Sequence, residues 1–253
     1  MISIKRFLQN TRTAKRFCTN NYKSIQLQPG LILIKNGLSV VEQIKLATIA
    51  LQYGNDINNG FWNVDEQNQK SLNQSPHRGR IFNNLEQFPI ILSELCQKNL
   101  DSVIEKDNTI KPIEATHLIL LYYKTLNETP KGGYINWHQD KDANDGDNNY
   151  PVVSFTIGDT CEFLICNTKP KISTSWDNPH NLSHRILFES GDILIFGGPS
   201  RYIHHSIYKI HNKTSPEFLP FVDARLNFTF RYAPKISGNE DIFSSKNFKN
   251  TYT

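Results

Sequence analysis

The chain has 253 residues, enough for one domain with a sizeable core. Its 38% hydrophobic, 11% aromatic and 21% charged content excludes a disordered chain. No apolar run nears the roughly 20 residues of a membrane-crossing helix, so no membrane partner is expected, and a net charge of +4 leans mildly toward a polyanionic one.

The positive charge is concentrated at the start. Residues 1–41 hold no Asp or Glu, against Lys5, Arg6, Arg12, Lys15, Arg16, Lys23 and Lys35. Residues 1–28 therefore read as a basic arm ahead of a domain over residues 29–253. Three readings of the arm stay open: a solvated disordered tail, an acid-free amphipathic presequence, or an arm that contacts phosphate. The cysteines, Cys18, Cys96, Cys161 and Cys166, form no C-x-x-C pair and follow no secretory signal. Reduced thiols in an intracellular compartment are expected, nucleus and cytoplasm or mitochondrion, with Cys161 and Cys166 as small buried hydrophobes.

After Pro29-Gly30, LILIKNG reads as a short strand. LSVVEQIKLATIALQYG reads as a helix with Ser39 as N-cap, apolar positions at Val41, Ile44, Leu46, Ile49 and Ala50, and Gly54 at its end. Residues 55–84 turn polar and carry Phe61, Trp62, Arg78, Arg80 and Phe82. A structureless stretch of that length suggests either a surface loop with tucked-in aromatics or a substrate-gripping lid. FPIILSELCQKNLDSVIEK reads as a second helix, with Pro89 near its first turn. Eight strand-like runs follow: THLILLYYK, YINWHQ, PVVSFTIG, EFLIC, RILFE, DILIFG, RYIHHSIY and ARLNFTFRY. Helices first and then eight short strands predict an α+β chain. Its core is a double-stranded β-helix (jelly-roll or cupin-like), with the N-terminal helices packed on one sheet.

Of the eight histidines, only His138 has an aspartate two residues on, Asp140. In an extended segment these two share a face, so one imidazole and one carboxylate aim at one point. That is two thirds of the facial triad that iron(II) takes while keeping positions open for chemistry. A third ligand must come from a distant strand, and GDILIFGGPSRYIHHSI offers His204 and His205. They face opposite sides, and alternation does not choose between them. Downstream, DARLNFTFRYAP places Arg225, Asn227, Thr229 and Arg231 on one face of a strand. An arginine there would suit a dicarboxylic co-substrate, because its planar fork matches a carboxylate and keeps its charge. The acidic run DKDANDGDNN is no EF-hand: Asp145 stands where glycine is needed and Pro151 where glutamate is needed.

Taken together, HQDKD, GDILIFGGPSRYIHHSI and RLNFTFRYA resemble the AlkB family of iron(II)- and 2-oxoglutarate-dependent dioxygenases, over roughly residues 116–233. The resemblance implies Fe(II), 2-oxoglutarate and O2 as cofactor, co-substrate and oxidant. It selects His205 as third ligand beside His138 and Asp140. It pairs Arg225 with the far carboxylate of 2-oxoglutarate, lines the same pocket with Asn227 and Arg231, and has Tyr123 donate its hydroxyl. Asp142 falls where the bacterial repair enzyme touches its substrate base. Leu121 stands where bacterial members carry a co-substrate-binding asparagine. The implied reaction oxidises an N-methyl group that leaves as formaldehyde, with 2-oxoglutarate converted to succinate and CO2.

The implied partner is alkylated DNA or RNA, single-stranded or with the target base flipped out, acted on by a monomer. Phe61, Trp62 and Phe82 are then the stacking candidates. A second reading keeps the iron chemistry on a protein substrate, as a hydroxylase or demethylase. A third, a catalytically dead sandwich that binds nucleic acid or another partner, is disfavoured by the intact set of His138, Asp140, His205, Arg225 and Arg231.

Overall fold

The computed structural model describes residues 23–141, 149–172 and 175–232. Asp142 and residues 1–22 of the basic arm lie outside the described residues. β1 (Lys23–Gln28) and β2 (Leu31–Lys35) form an antiparallel hairpin. The last residues assigned to the arm are therefore sheet, and the folded domain begins earlier than residue 29.

Helix α1 (Val40–Gly54) starts where expected. The Ser39 hydroxyl accepts from the Glu42 amide at 3.3 Å and the Glu42 carboxylate accepts from the Ser39 amide at 2.7 Å, a reciprocal cap. Its buried face is Gln43, Leu46, Ala47, Ala50 and Gly54, while Val41 is exposed. Gln43 replaces Val41 on that face because its amide reaches the Leu38 carbonyl and accepts from the Ser190 hydroxyl. Helix α2 (Ile91–Ile104) begins two residues after Pro89 and buries Leu92, Leu95, Cys96, Leu100 and Val103.

The polar stretch of residues 55–84 is not a loop. It holds a small hairpin, β3 (Trp62–Val64) with β4 (Lys70–Leu72), and then β5 (Arg78–Asn84). The eight expected strands follow: β6 (His117–Lys124), β7 (Ile135–His138), β8 (Val152–Gly158), β9 (Cys161–Cys166), β10 (His184–Phe188), β11 (Ile193–Phe196), β12 (His204–Ile210) and β13 (Ala224–Arg231). A seven-stranded sheet runs β1-β2-β11-β8-β13-β6-β5, and a four-stranded sheet runs β10-β9-β12-β7.

Two apolar clusters hold these layers. One joins α1 and α2 to the outer face of the large sheet through Leu46, Leu92, Leu100, Phe155, Phe228 and Phe230. The other fills the space between the two sheets with Leu33, Ile119, Phe163, Ile165, Phe188 and Ile207. Each such aliphatic or aromatic side chain contributes about 1.5–3 kcal/mol when taken out of water. The result is a two-sheet jelly roll with its helices on one sheet, the architecture that the element order predicted. Among the described residues, no helix is long and apolar enough to cross a membrane.

Candidate active site

The inter-sheet space opens into a cavity at one end, lined from both sheets. On the small sheet, β12 pairs with β7 so that His205 stands directly opposite His138. Asp140, two residues past His138, closes the group, and the three ligand atoms lie within 4.8 Å of one another. The Asp140 Oδ1 is 3.7 Å from His138 Nε2 and 3.8 Å from His205 Nε2. His204 is the neighbour of His205 on the same strand, so its side chain leaves from the opposite face of the small sheet. The choice that alternation left open therefore falls on His205, which is 5% exposed.

The rings are oriented from behind. His138 Nδ1 lies 2.8 Å from the Asn136 carbonyl and His205 Nδ1 lies 3.2 Å from the Ile203 carbonyl. A proton on each Nδ1 leaves the Nε2 lone pair for a metal. Burial pushes the His138 imidazole down to about 3, with the neighbouring His205 adding to it and Asp140 only partly offsetting both. His205 is also lowered, by burial first. For Asp140, burial acts to raise the carboxyl. The Arg231 guanidinium at 2.7 Å, then the two imidazoles, outweigh it and hold the group below the usual carboxylate range. Neutral imidazoles and an ionised carboxylate are the protonation states a cation needs.

The large sheet supplies the opposite wall. Its register sets Arg78, Tyr123 and Arg225 side by side across β5, β6 and β13, with Arg80, Leu121 and Asn227 in the next row. Residues in register point to the same face. Arg225 is fully buried, with its guanidinium over the rings of Tyr123 and Phe188 at 5.1 and 5.6 Å. Its Nε and one terminal nitrogen, and the Tyr123 hydroxyl, are buried without a hydrogen-bond partner. Buried polar groups are ordinarily hydrogen-bonded, so these donors call for a partner from outside the chain, whether water or ligand. Asn227 lines the cavity, but its amide nitrogen already donates to the Ser154 hydroxyl and the Phe155 carbonyl, and its oxygen accepts from Thr229. It shapes the wall and braces Thr229.

The proposed stacking residues divide. Phe61 is fully buried in the cluster under the helices, against Trp62 and Tyr122 at 5.5 and 5.4 Å. Tyr122 alternates with Tyr123, so Phe61 and Trp62 lie on the face of the large sheet away from the cavity. The structure therefore brings neither of them to the cavity, where the stacking expectation had placed them. Phe82 is on the cavity side, with its ring stacked on His117 at 5.6 Å. Sequence reasoning missed β5 as a wall of the site, although it had noted Arg78 and Arg80. The signal available was the alternation RGRIF, in which Gly79 and Ile81 turn one way and the arginines the other.

Fold and site together define a facial-triad oxygenase, with two histidines, one carboxylate and a buried arginine awaiting a carboxylate. The profile of the 2OG-Fe(II) oxygenase superfamily matches residues 30–231, and the chain belongs to that family. Within it the chain is similar to AlkB proteins. It is 27% identical over 243 residues to DNA N(6)-methyladenine demethylase ALKBH1C of Arabidopsis thaliana, covering 86% of this chain and 51% of that one. It is 31% identical over 110 residues to alpha-ketoglutarate-dependent dioxygenase AlkB of Escherichia coli (strain K12), covering 44% of each. The solved structure of OsALKBH1 superposes with a TM-score of 0.65 at 22% identity, covering 83% of this chain and 100% of that one. The chain spans about half the length of the Arabidopsis relative.

The family's cofactor set is iron(II), 2-oxoglutarate and O2, and the residues present fit it. His138, Asp140 and His205 would hold the iron. Arg225 and Tyr123 offer unpartnered buried donors for a carboxylate.

Proposed function

We propose that this chain is an iron(II)- and 2-oxoglutarate-dependent dioxygenase that removes methyl groups from bases in nucleic acid. The observation that carries the oxygenase reading is the pairing, in one cavity, of the His138–Asp140–His205 cluster with the unsatisfied guanidinium of Arg225. The substrate class is supported by the similarity to the Arabidopsis relative, a DNA N(6)-methyladenine demethylase.

When bound, iron with O2 and 2-oxoglutarate supplies the oxidation that turns an N-methyl group into formaldehyde, with succinate and CO2 as co-products. Everything else falls to the chain. Arg225 and Tyr123 would hold one carboxylate of the co-substrate through their buried donors and so fix its pose. Arg231 keeps Asp140 ionised and points its carboxylate inward. Phe163 stacks on His205 at 5.2 Å and Phe196 packs on it at 5.5 Å, shielding the ligand from water. A site set between two sheets is out of reach of a base inside a duplex, so the target enters single-stranded or flipped out. The free, buried thiols of Cys96, Cys161 and Cys166 suit a reducing intracellular compartment.

The test is a panel of oligonucleotides carrying 1-methyladenine, 3-methylcytosine or N6-methyladenine, as DNA and RNA, single- and double-stranded, beside methylated peptides. Methyl loss is read by mass spectrometry with iron(II), 2-oxoglutarate and ascorbate. Loss confined to oligonucleotides, with single strands preferred, is the expected result. Loss or hydroxylation confined to peptides would replace the nucleic-acid reading with a protein one.

A further inference from the structure

Asp140 differs from the other two ligands in how its backbone is held. His138 and His205 stand opposite each other on the β7–β12 ladder. β7 ends at His138, and the chain then turns at once, with the Lys141 amide donating to the Gln139 carbonyl at 2.8 Å. The ladder thus fixes two ligands and leaves the third to other contacts. Those come from Arg201 and Tyr202. The buried Arg201 guanidinium donates to the Asp140 carbonyl at 2.5 Å, and the Gln139 side-chain amide donates to the Tyr202 carbonyl. We propose that these two bonds are a clamp that positions the metal ligand, with Arg201 and Gln139 holding Asp140 where an ion needs its carboxylate. This rests on reading His138, Asp140 and His205 as the metal site.

The clamp is anchored away from the cavity. In GGPSR the chain makes a 3-10 turn, Gly198–Ser200, which the Arg201 amide closes by donating to the Gly198 carbonyl at 3.1 Å. The Ser200 hydroxyl donates to the Pro29 carbonyl and accepts from the Gln28 amide, each at 2.8 Å, and the Gly197 amide donates to the Gly30 carbonyl at 2.8 Å. Gly198 has a φ of +48°, and a Cβ there would collide with the Thr109 carbonyl, so the turn sits tight against the loop after α2. From this base the Arg201 guanidinium lies over the Tyr202 ring at 4.9 Å, and the Lys141 ammonium approaches the same ring at 5.8 Å. A guanidinium already stacked on a ring gives up little further freedom when it bonds a carbonyl.

Two arginines meet Asp140 at its two ends. Arg231 takes Oδ1, the oxygen that also faces both imidazoles, so an ion bound there competes with it. Arg201 takes the carbonyl, a contact that does not compete with the ion. Partners that orient a ligand from behind raise metal affinity, and their loss weakens it by about 10–100-fold.

The experiment titrates cobalt(II) into the metal-free protein, with affinity read by calorimetry and ligand geometry by the visible spectrum of the bound ion. It compares wild type with Asp140→Ala, Arg201→Met, Arg201→Lys and Gln139→Ala, each checked for folding by a thermal scan. Arg201→Met should weaken binding about tenfold and alter the spectrum, and Arg201→Lys should recover most of the affinity. Gln139→Ala opens one bond of the clamp and should lose about threefold. A role in folding alone would lower the melting temperature of Arg201→Met and leave the affinity and spectrum of the folded protein unchanged, which overturns the clamp. If Arg201→Met does not fold, Gln139→Ala decides, and wild-type affinity there overturns the clamp equally. A wild type that binds no cobalt(II), or binds it no more tightly than Asp140→Ala, would bring down the metal-site reading and the clamp with it.

Discussion

On β13, Leu226, Phe228 and Phe230 face the helices, while Arg225, Asn227, Thr229 and Arg231 face the smaller sheet, and all seven are buried. Burial alone does not say what a face is for. The apolar face gains from leaving water at every position. The polar face loses hydration and recovers it only where a partner exists. Asn227 and Arg231 find partners within the chain, while two nitrogens of Arg225 do not. A strand that stabilises the fold with one face holds unsatisfied polarity on the other, at the level where a dicarboxylate would bind.

That contrast can be broken at several points. His138→Ala has the largest expected effect. Bound iron falls to background and 2-oxoglutarate turnover disappears, while the melting temperature without metal stays close to wild type, as metal analysis and a thermal scan would show. Phe228→Ala acts on the other face and is expected to cost about 3–5 kcal/mol of stability, with the KM for 2-oxoglutarate unchanged. Chemical denaturation and steady-state kinetics would separate the two. Arg225→Gln should raise that KM roughly 100-fold, corresponding to about 3 kcal/mol of charged hydrogen bonding, with little loss of bound iron. Leu121→Asn is the smallest change. An added amide in the row beside Arg80 and Asn227 should lower the KM about fivefold, on the order of 1 kcal/mol. A KM that rises instead would show that the apolar side chain is needed there.

The two faces were not equally legible in the sequence. All eight strands from β6 to β13 could be read, because alternation and aromatic or β-branched runs are strong in segments such as HLILLYYK and RLNFTFRY. The spacing of His138 and Asp140 placed two ligands on one face, and Arg225 with Arg231 followed from the same period of two. Between His204 and His205 the choice needed either the family resemblance or the register with β7, because adjacent strand residues are equivalent until a sheet is assembled. β5 escaped because its inward face is Arg78, Arg80 and Phe82, and polar composition disguised a strand as a loop. Phe61 and Trp62 were misplaced for a related reason. The burial of Phe61 depends on Gly54 and Gly79 leaving room for it, which no local pattern reports. Gln43 was unreadable as a core residue without sight of the Leu38 carbonyl and Ser190 beside it.

The central claim is that Arg225 is held unsatisfied for a dicarboxylate. The most direct test is a pair of melting curves for wild type and Arg225→Met, without ligand and with iron(II) plus 2-oxoglutarate under anaerobic conditions. Replacing an incompletely partnered buried charge with an apolar side chain should raise the ligand-free melting temperature by a few degrees, about 1–2 kcal/mol. Co-substrate should then raise the wild type further and leave the variant where it was beyond the contribution of iron. A variant that melts below the wild type without ligand, or gains as much from 2-oxoglutarate, would contradict the account.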